Sequence, residues 1–124
     1  MSNPRGFEST FFRIEDESGC VIVVMTRLQL TEEENLEQMD EDFRALVERF
    51  SLRKVVVNLV NVEYLTSSAV GKLISWHRHM IRQDGQLVLS ELREQVTAIL
   101  DTSHLLSYFQ VCDTTSAAVA QLLE

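Results

Sequence analysis

Glycine is scarce in this sequence, and its four copies stand far apart, at positions 6, 19, 71 and 85. A glycine-rich loop that holds the phosphate groups of a nucleotide needs several glycines within a few residues. The sequence therefore lacks a nucleotide-binding loop of this kind. Proline is scarcer still: its one copy lies in a polar stretch over residues 1–9, which we expect to be a loose leader.

Cysteine is almost as rare, with Cys20 and Cys112 as the two copies and no pair at CxxC spacing. Each lies in an apolar run, so we expect two buried free thiols in a reducing compartment. His77 and His79 are a weak candidate for a metal site, because side chains two residues apart on a helix point in different directions. We expect no metal and no cofactor.

Long apolar runs are also missing, and the polar N-terminus is unlike a signal peptide. The chain of 124 residues has a formal net charge of −8 and 45% hydrophobic residues. An acidic surface repels nucleic-acid backbones and anionic lipid headgroups. We therefore expect a cytoplasmic globular protein with no direct nucleic-acid or membrane partner.

Apolar runs and stripes at helical spacing alternate along the chain. The predicted strands cover residues 10–15, 20–25, 54–60, 86–89 and 108–112, and residues 16–19 form the turn of a hairpin between the first two. The predicted helices begin at residues 31, 67, 94 and 114. This order predicts a single α/β domain over residues 1–124: an N-terminal β-hairpin followed by βαβ units, with a mixed, mostly parallel sheet packed with four helices.

Two of these helices carry specific signals. Thr31 and Glu34 have the spacing of a capping box, so the first helix is predicted to begin at Thr31. Its acidic first half is most simply a solvated face. The second helix has an apolar stripe, in which His77 is expected to be a satisfied core or interface histidine; the stripe consists of Val70, Leu73, Ile74, His77 and Ile81.

A cluster of hydroxyl groups, Thr66, Ser67 and Ser68, follows the apolar strand over residues 54–60 and opens the second helix. Ligand and partner sites of parallel sheets lie at the carboxyl ends of the strands. The three hydroxyls are therefore either helix caps or part of a binding site. A serine nucleophile is not expected, because the cluster lacks the paired glycines of the sharp turn that exposes such a serine. We expect a protein that binds other proteins rather than an enzyme.

The segment over residues 66–71, Thr-Ser-Ser-Ala-Val-Gly, resembles the Asp-Ser-Ser-Gly-Leu-Gly motif of STAS domains, the family of bacterial anti-sigma factor antagonists. The resemblance extends over roughly residues 10–124 and includes three later stretches: residues 84–89, residues 96–100 with Phe109, and residues 116–119. Four positions depart from the family pattern: Thr66 replaces an aspartate, Ala69 and His104 replace glycines, and Asn58 replaces an acidic residue.

This resemblance implies an anti-sigma factor antagonist that binds an anti-sigma factor, itself a serine kinase, and is switched off by phosphorylation of Ser68. The kinase, not this chain, would hold ATP and magnesium. The implied partner-binding residues are Thr66, Ser67, Ser68, Ala69 and Asn58. Which hydroxyl is modified, if any, stays open, as does the oligomeric state, with a weak homodimer among the alternatives. The other function is a scaffold of the stressosome type without a switch at Ser68.

Overall fold

A five-stranded sheet forms the centre of the protein; the computed structural model describes residues 4–124. Its strands are β1 Phe12–Glu17, β2 Cys20–Met25, β4 Lys54–Asn58, β6 Gln86–Ser90 and β7 Gln110–Cys112, side by side in that order. β1 is antiparallel to β2, and the other neighbours are parallel. A separate pair of two-residue parallel strands consists of β3 Gln29–Leu30 and β5 Tyr64–Leu65. The predicted hairpin and mostly parallel sheet are confirmed.

The hairpin turn is shorter than the sequence predicts. Glu17 pairs with Cys20, so Ser18 and Gly19 alone form the turn, with φ of 54° and 87°. Two consecutive residues with positive φ are typical of the tight turns that match the twist of antiparallel strands. β1 consequently continues to Glu17 instead of ending at residue 15.

Four helices cover the two faces of the sheet, as predicted: α1 Leu36–Phe50, α2 Ser67–Arg82, α3 Glu94–Thr102 and α4 Thr115–Leu122. Alternate residues of each strand point to opposite faces. Val55 and Val57 therefore join the larger core with α1, α2 and α3, whereas Val56 joins the smaller core beneath α4. The hydroxyl cluster opens α2 and so belongs to the face that carries three helices.

The predicted start of α1 at Thr31 is wrong. Thr31 instead caps a short 3-10 helix, Glu32–Glu34, through a 3.3 Å hydrogen bond from the Glu33 backbone N–H to its Oγ1. Asn35 then adopts the left-handed conformation, with φ 49°, and its side chain caps α1. The chain must turn here because Leu30 is held in β3, and asparagine tolerates this backbone geometry better than most residues.

The buried face of α2 also differs from the predicted stripe. Ile81 is 54% exposed, whereas Trp76 and Met80 are fully buried. The Trp76 ring stacks on Phe43 of α1 with 4.1 Å between ring centroids, and its Nε1 donates a 2.8 Å hydrogen bond to Asp40. The packing of α2 against α1 thus rotates the buried face toward Trp76.

Part of the N-terminal leader predicted over residues 1–9 packs against the domain. Residues 1–3 lie outside the described residues. Pro4–Gly6 form a short 3-10 helix, the Phe7 ring stacks on Phe12 at 6.4 Å, and Ser9 Oγ donates a 2.7 Å hydrogen bond to Asp42. Residues 4–9 therefore pack against the domain, which differs from the loose leader expected from their polar sequence.

Candidate functional site

Thr66 is the N-cap of α2. Its backbone is extended, with φ −89° and ψ 170°, and its Oγ1 accepts a 3.4 Å hydrogen bond from the Ala69 backbone N–H. Its own backbone N–H donates to Leu30 O at 3.1 Å, which ties the cap to β3. This half-buried hydroxyl is therefore already used by the fold.

Ser67 and Ser68 occupy the first turn of α2 and are both exposed. The Ser68 hydroxyl donates a 3.1 Å hydrogen bond to Oε1 of Glu32, which lies in the 3-10 helix before α1. The pKa of Glu32 is lowered by a hydrogen bond from its own backbone N–H and then by the hydroxyls of Ser68 and Thr66. An ionised carboxylate therefore stands directly against the hydroxyl of Ser68 at neutral pH.

Lys72 lies one helical turn after Ser68, on the same side of α2. Its Nζ contacts Glu37 Oε1 at 2.6 Å, which joins α2 to the start of α1, as the Ser68–Glu32 pair joins α2 to the 3-10 helix before it. A depression of about 250 Å³, here called the Ser68 pocket, is lined by Glu32, Asn35, Leu36, Glu37, Ser68 and Lys72. Sequence reasoning missed Lys72, although its spacing of four residues from Ser68 places the two side chains together on a helix.

A larger groove lies on the other side of the first turn of α2. This α2–α3 groove has a volume of about 610 Å³ and is lined by Glu32, Tyr64, Leu65, Thr66, Ser67, Val70, Gly71, Ile74, Ile99, Ser103 and Leu105. Glu32 borders both the groove and the Ser68 pocket. The hydroxyl cluster is thus surrounded by two surface depressions that share one carboxylate.

The structure does not bring all the predicted site residues together. The side chain of Ala69 is fully buried in the core, so it is not available to a partner. Asn58 ends β4, where its Nδ2 donates a 3.2 Å hydrogen bond to Thr115 Oγ1 at the start of α4 and its Oδ1 accepts one from the Val60 backbone N–H. Asn58 therefore faces α4, across the sheet from Ser68.

Other candidate chemistry in the described part of the chain is limited. Residues 4–124 contain no group of three or more His, Cys, Asp or Glu side chains arranged to hold a metal ion. Cys20 is buried and Cys112 is half-buried, and both are free thiols. Within the same residues, no helix has the length and apolar character needed to cross a membrane.

The fold and the position of the hydroxyl cluster agree with a family comparison. The sequence model of the STAS domain matches residues 3–118, most of the chain. The chain belongs to the STAS domain family. The resemblance found in residues 66–71 is thereby confirmed at the level of the family.

Relatives of this STAS domain include proteins named as anti-sigma factor antagonists. BtrV of Bordetella bronchiseptica, which carries that name, is 30% identical over 86 residues, covering 69% of this chain and 73% of BtrV. A STAS-domain protein of Pseudomonas aeruginosa is 34% identical over 73 residues, covering 57% of this chain and 72% of the relative.

Solved structures share the fold at lower identity. A Thermotoga maritima protein described as an anti-sigma factor antagonist superposes with a TM-score of 0.80 at 18% identity, covering 93% of this STAS domain and 97% of that chain. The anti-sigma factor antagonist SpoIIAA in its unphosphorylated form gives 0.73 at 17% identity, covering 90% and 96%. At these identities, the structural likeness establishes the fold alone.

Proposed function

We propose that this STAS domain is an anti-sigma factor antagonist that binds an anti-sigma factor with serine kinase activity and is switched off by phosphorylation of Ser68. The observation that carries the proposal is the exposed Ser68 hydroxyl at the first turn of α2, where its neighbour in the fold is Glu32. Ser68 stands at the second serine of the family motif, and we take its hydroxyl as the modified one. Thr66 suits this role less well, because its hydroxyl caps the helix.

The chemistry at Ser68 requires little from this chain. The kinase supplies ATP, magnesium and the base that accepts the proton of Ser68 Oγ; the γ-phosphoryl group is transferred to that oxygen, and ADP leaves. A phosphoserine carries roughly −1.5 to −2 charge at neutral pH. Near the N-terminus of α2, the helix dipole and free backbone N–H groups stabilise such a charge. The modified domain is therefore expected to stay folded.

Phosphorylation changes the surface around Ser68. The phosphoserine no longer has a hydroxyl proton to donate to Glu32, and the two negative groups repel each other. Lys72, which contacts Glu37 in the unmodified protein, is the cation of the Ser68 pocket. We expect it to turn toward the phosphate. A partner that fits the unmodified surface would then meet a bulky dianion and displaced side chains, and its affinity would fall.

The test compares three baits, Ser68→Ala, Ser68→Asp and Ser116→Ala, in pull-downs followed by binding measurements with the purified kinase. Ser116 is an exposed serine in the first turn of α4, on the other face of the sheet, and is the matched control. Ser68→Ala and Ser116→Ala are expected to bind the kinase, and Ser68→Asp to bind at least about tenfold more weakly. With ATP and the kinase, mass spectrometry should find phosphate on Ser68 in the wild type and in Ser116→Ala, but not in Ser68→Ala.

Circular dichroism of the same variants separates binding from folding. All three should unfold within about 0.5 kcal/mol of the wild type, because both serines are exposed. Equal capture of the same proteins by all baits, or capture of this chain alone, would support a scaffold of the stressosome type instead. Unfolding of Ser68→Asp would contradict the switch.

A further inference from the structure

Gly71 is the fifth residue of α2, and the fold gives no reason for a glycine there. Glycine inside a helix is less stable than alanine. Gly71 does not have a positive φ, and a Cβ built on it meets no heavy atom of the described residues within 4 Å apart from its chain neighbours and the backbone of its own helix. Gly85 is the contrasting case, because a Cβ there would lie 2.8 Å from the carbonyl oxygen of Arg53. A side chain at position 71 would therefore have free space at the protein surface, whereas a side chain at position 85 would not.

The space beside Gly71 is the α2–α3 groove. Ile74 forms its wall on α2, and Ile99 and Leu105 form the opposite wall on α3 and the segment after it. These three side chains are half-buried and packed against the core, so they present a fixed apolar surface. A side chain added at residue 71 would project into this groove without disturbing the core.

The lining of the groove combines apolar side chains with one charge. Glu32 is the one charged side chain among the described residues that line it, alongside the hydroxyl-bearing Tyr64, Ser67 and Ser103. Glu32 is held there by its hydrogen bond from Ser68. A groove with apolar walls and a single carboxylate is complementary to an apolar group that carries a neighbouring cation.

We propose that the α2–α3 groove receives an apolar side chain of the partner, with an adjacent lysine or arginine paired to Glu32. The identity of the partner, the anti-sigma factor, rests on the proposed function. The groove proposal adds the chemistry by which that partner contacts the domain. Gly71 leaves the groove open for the apolar side chain. Because Glu32 borders both the groove and the Ser68 pocket, a phosphate on Ser68 would also displace the carboxylate that holds the cation.

The first experiment combines stability and affinity in Gly71→Ala and Gly71→Leu. Gly71→Ala should raise Tm by roughly 2–5 °C, since it removes a helix glycine from an open position. Both variants should weaken binding of the purified anti-sigma factor, Gly71→Leu by at least about tenfold. Ala120→Leu places the same side chain on the exposed surface of α4, on the other face of the sheet, and should leave affinity unchanged.

A second experiment needs no protein partner. Methyl NMR follows Ile74, Ile99 and Leu105 during titration with N-acetyl-leucyl-arginine amide and with the leucyl-glutamate analogue. The arginine probe should shift these methyl signals more strongly than the glutamate probe, and Gly71→Leu should abolish the shifts.

The outcomes distinguish this proposal from the proposed function. Any one of three results would overturn the groove proposal. These are a lower Tm for Gly71→Ala, an unchanged partner affinity in Gly71→Leu, and methyl shifts that are absent or equal with the two probes. The wild-type protein could instead bind the arginine probe selectively and yet bind no anti-sigma factor. That result would support the groove proposal and contradict only the proposed function.

Discussion

At the scale of single residues, the substitutions in the family motif keep the local chemistry. Thr66 stands where the family has aspartate, and both residue types accept the hydrogen bond that caps a helix. His104 stands where a glycine is common, and its φ of 60° is the geometry that glycine adopts most easily. Histidine is among the residues found there more often than most. Thr66 and His104 thus suit the backbone positions that they occupy although both differ from the family pattern.

Lys72 leads to a prediction about the phosphorylated protein. A cation close to phosphoserine favours the dianion, so Lys72 should lower the second pKa of the phosphate, which is ordinarily about 6. Replacing Lys72 with glutamine should therefore raise that pKa, by roughly half a unit for a partly exposed pair at the surface. A pH titration of the ³¹P signal in phosphorylated wild type and Lys72→Gln measures the difference.

The matched control for this titration is Arg78→Gln. Arg78 is an exposed cation on the same helix, ten residues after Ser68, so its loss should leave the phosphate pKa unchanged. Identical titration curves for wild type and Lys72→Gln would show that Lys72 stays with Glu37 when Ser68 is phosphorylated.

At the scale of the elements, most strands and helices were predictable because their periodic patterns are long. The errors arise where distant parts of the chain determine the structure. β3 and β5 have two residues each, too few to show alternation, and they pair across 35 positions of the sequence. This pairing fixes Leu30 in β3, and α1 therefore begins only at Leu36. The capping signal at Thr31 is local and does not show this later start.

The candidate site was predictable to a similar extent. The motif located the exposed Ser68 at the start of α2, but the motif alone does not show that Glu32 and Glu37 approach α2 from another part of the chain. Asn58 was grouped with Ser68 because it stands at a position that is acidic in many members of the family. The sheet separates them, since the Asn58 side chain points to the opposite face.

His77 joins α2 to the segment before β7, and this packing makes stability depend on pH. Its ring makes edge contacts with Tyr108 and Phe109, and its buried Nδ1 has no hydrogen-bond partner among the described residues, contrary to the satisfied histidine expected from sequence. Burial lowers the pKa of His77 from 6.5. The unfolded chain thus binds the proton more tightly, and stability should fall as pH decreases below about 6.5 toward the lowered folded pKa.

Replacing His77 with leucine should reduce this pH dependence, because the buried titrating group is removed. The free energy of unfolding from urea titrations at about pH 7.5 and about pH 5.5 provides the measurement. Burial, and next the Arg44 charge, also lower the pKa of His79, so part of the dependence should remain. His104→Asn, a change at an exposed position, should preserve the full dependence; an unchanged slope in His77→Leu would contradict the prediction.

At the scale of the whole molecule, the sheet separates two surfaces. The face with α1, α2 and α3 carries Ser68, the Ser68 pocket and the α2–α3 groove. The face with α4 has a smaller core and a polar contact in which Asn58 and Ser90 both meet the Thr115 hydroxyl. The proposed phosphorylation at Ser68 would therefore alter one surface while the packing of the other stays intact.

This separation predicts that Asn58→Ala affects stability but not partner binding. The variant loses the hydrogen bonds to Thr115 and Val60, which should lower the free energy of unfolding by about 1–2 kcal/mol. Ser68→Asp should do the reverse, with affinity lost and stability retained. Urea unfolding and binding to the purified anti-sigma factor, measured for both variants, give the comparison. Reduced affinity of a fully stable Asn58→Ala protein would show instead that the partner reaches the α4 side of the sheet, as the motif resemblance alone implied.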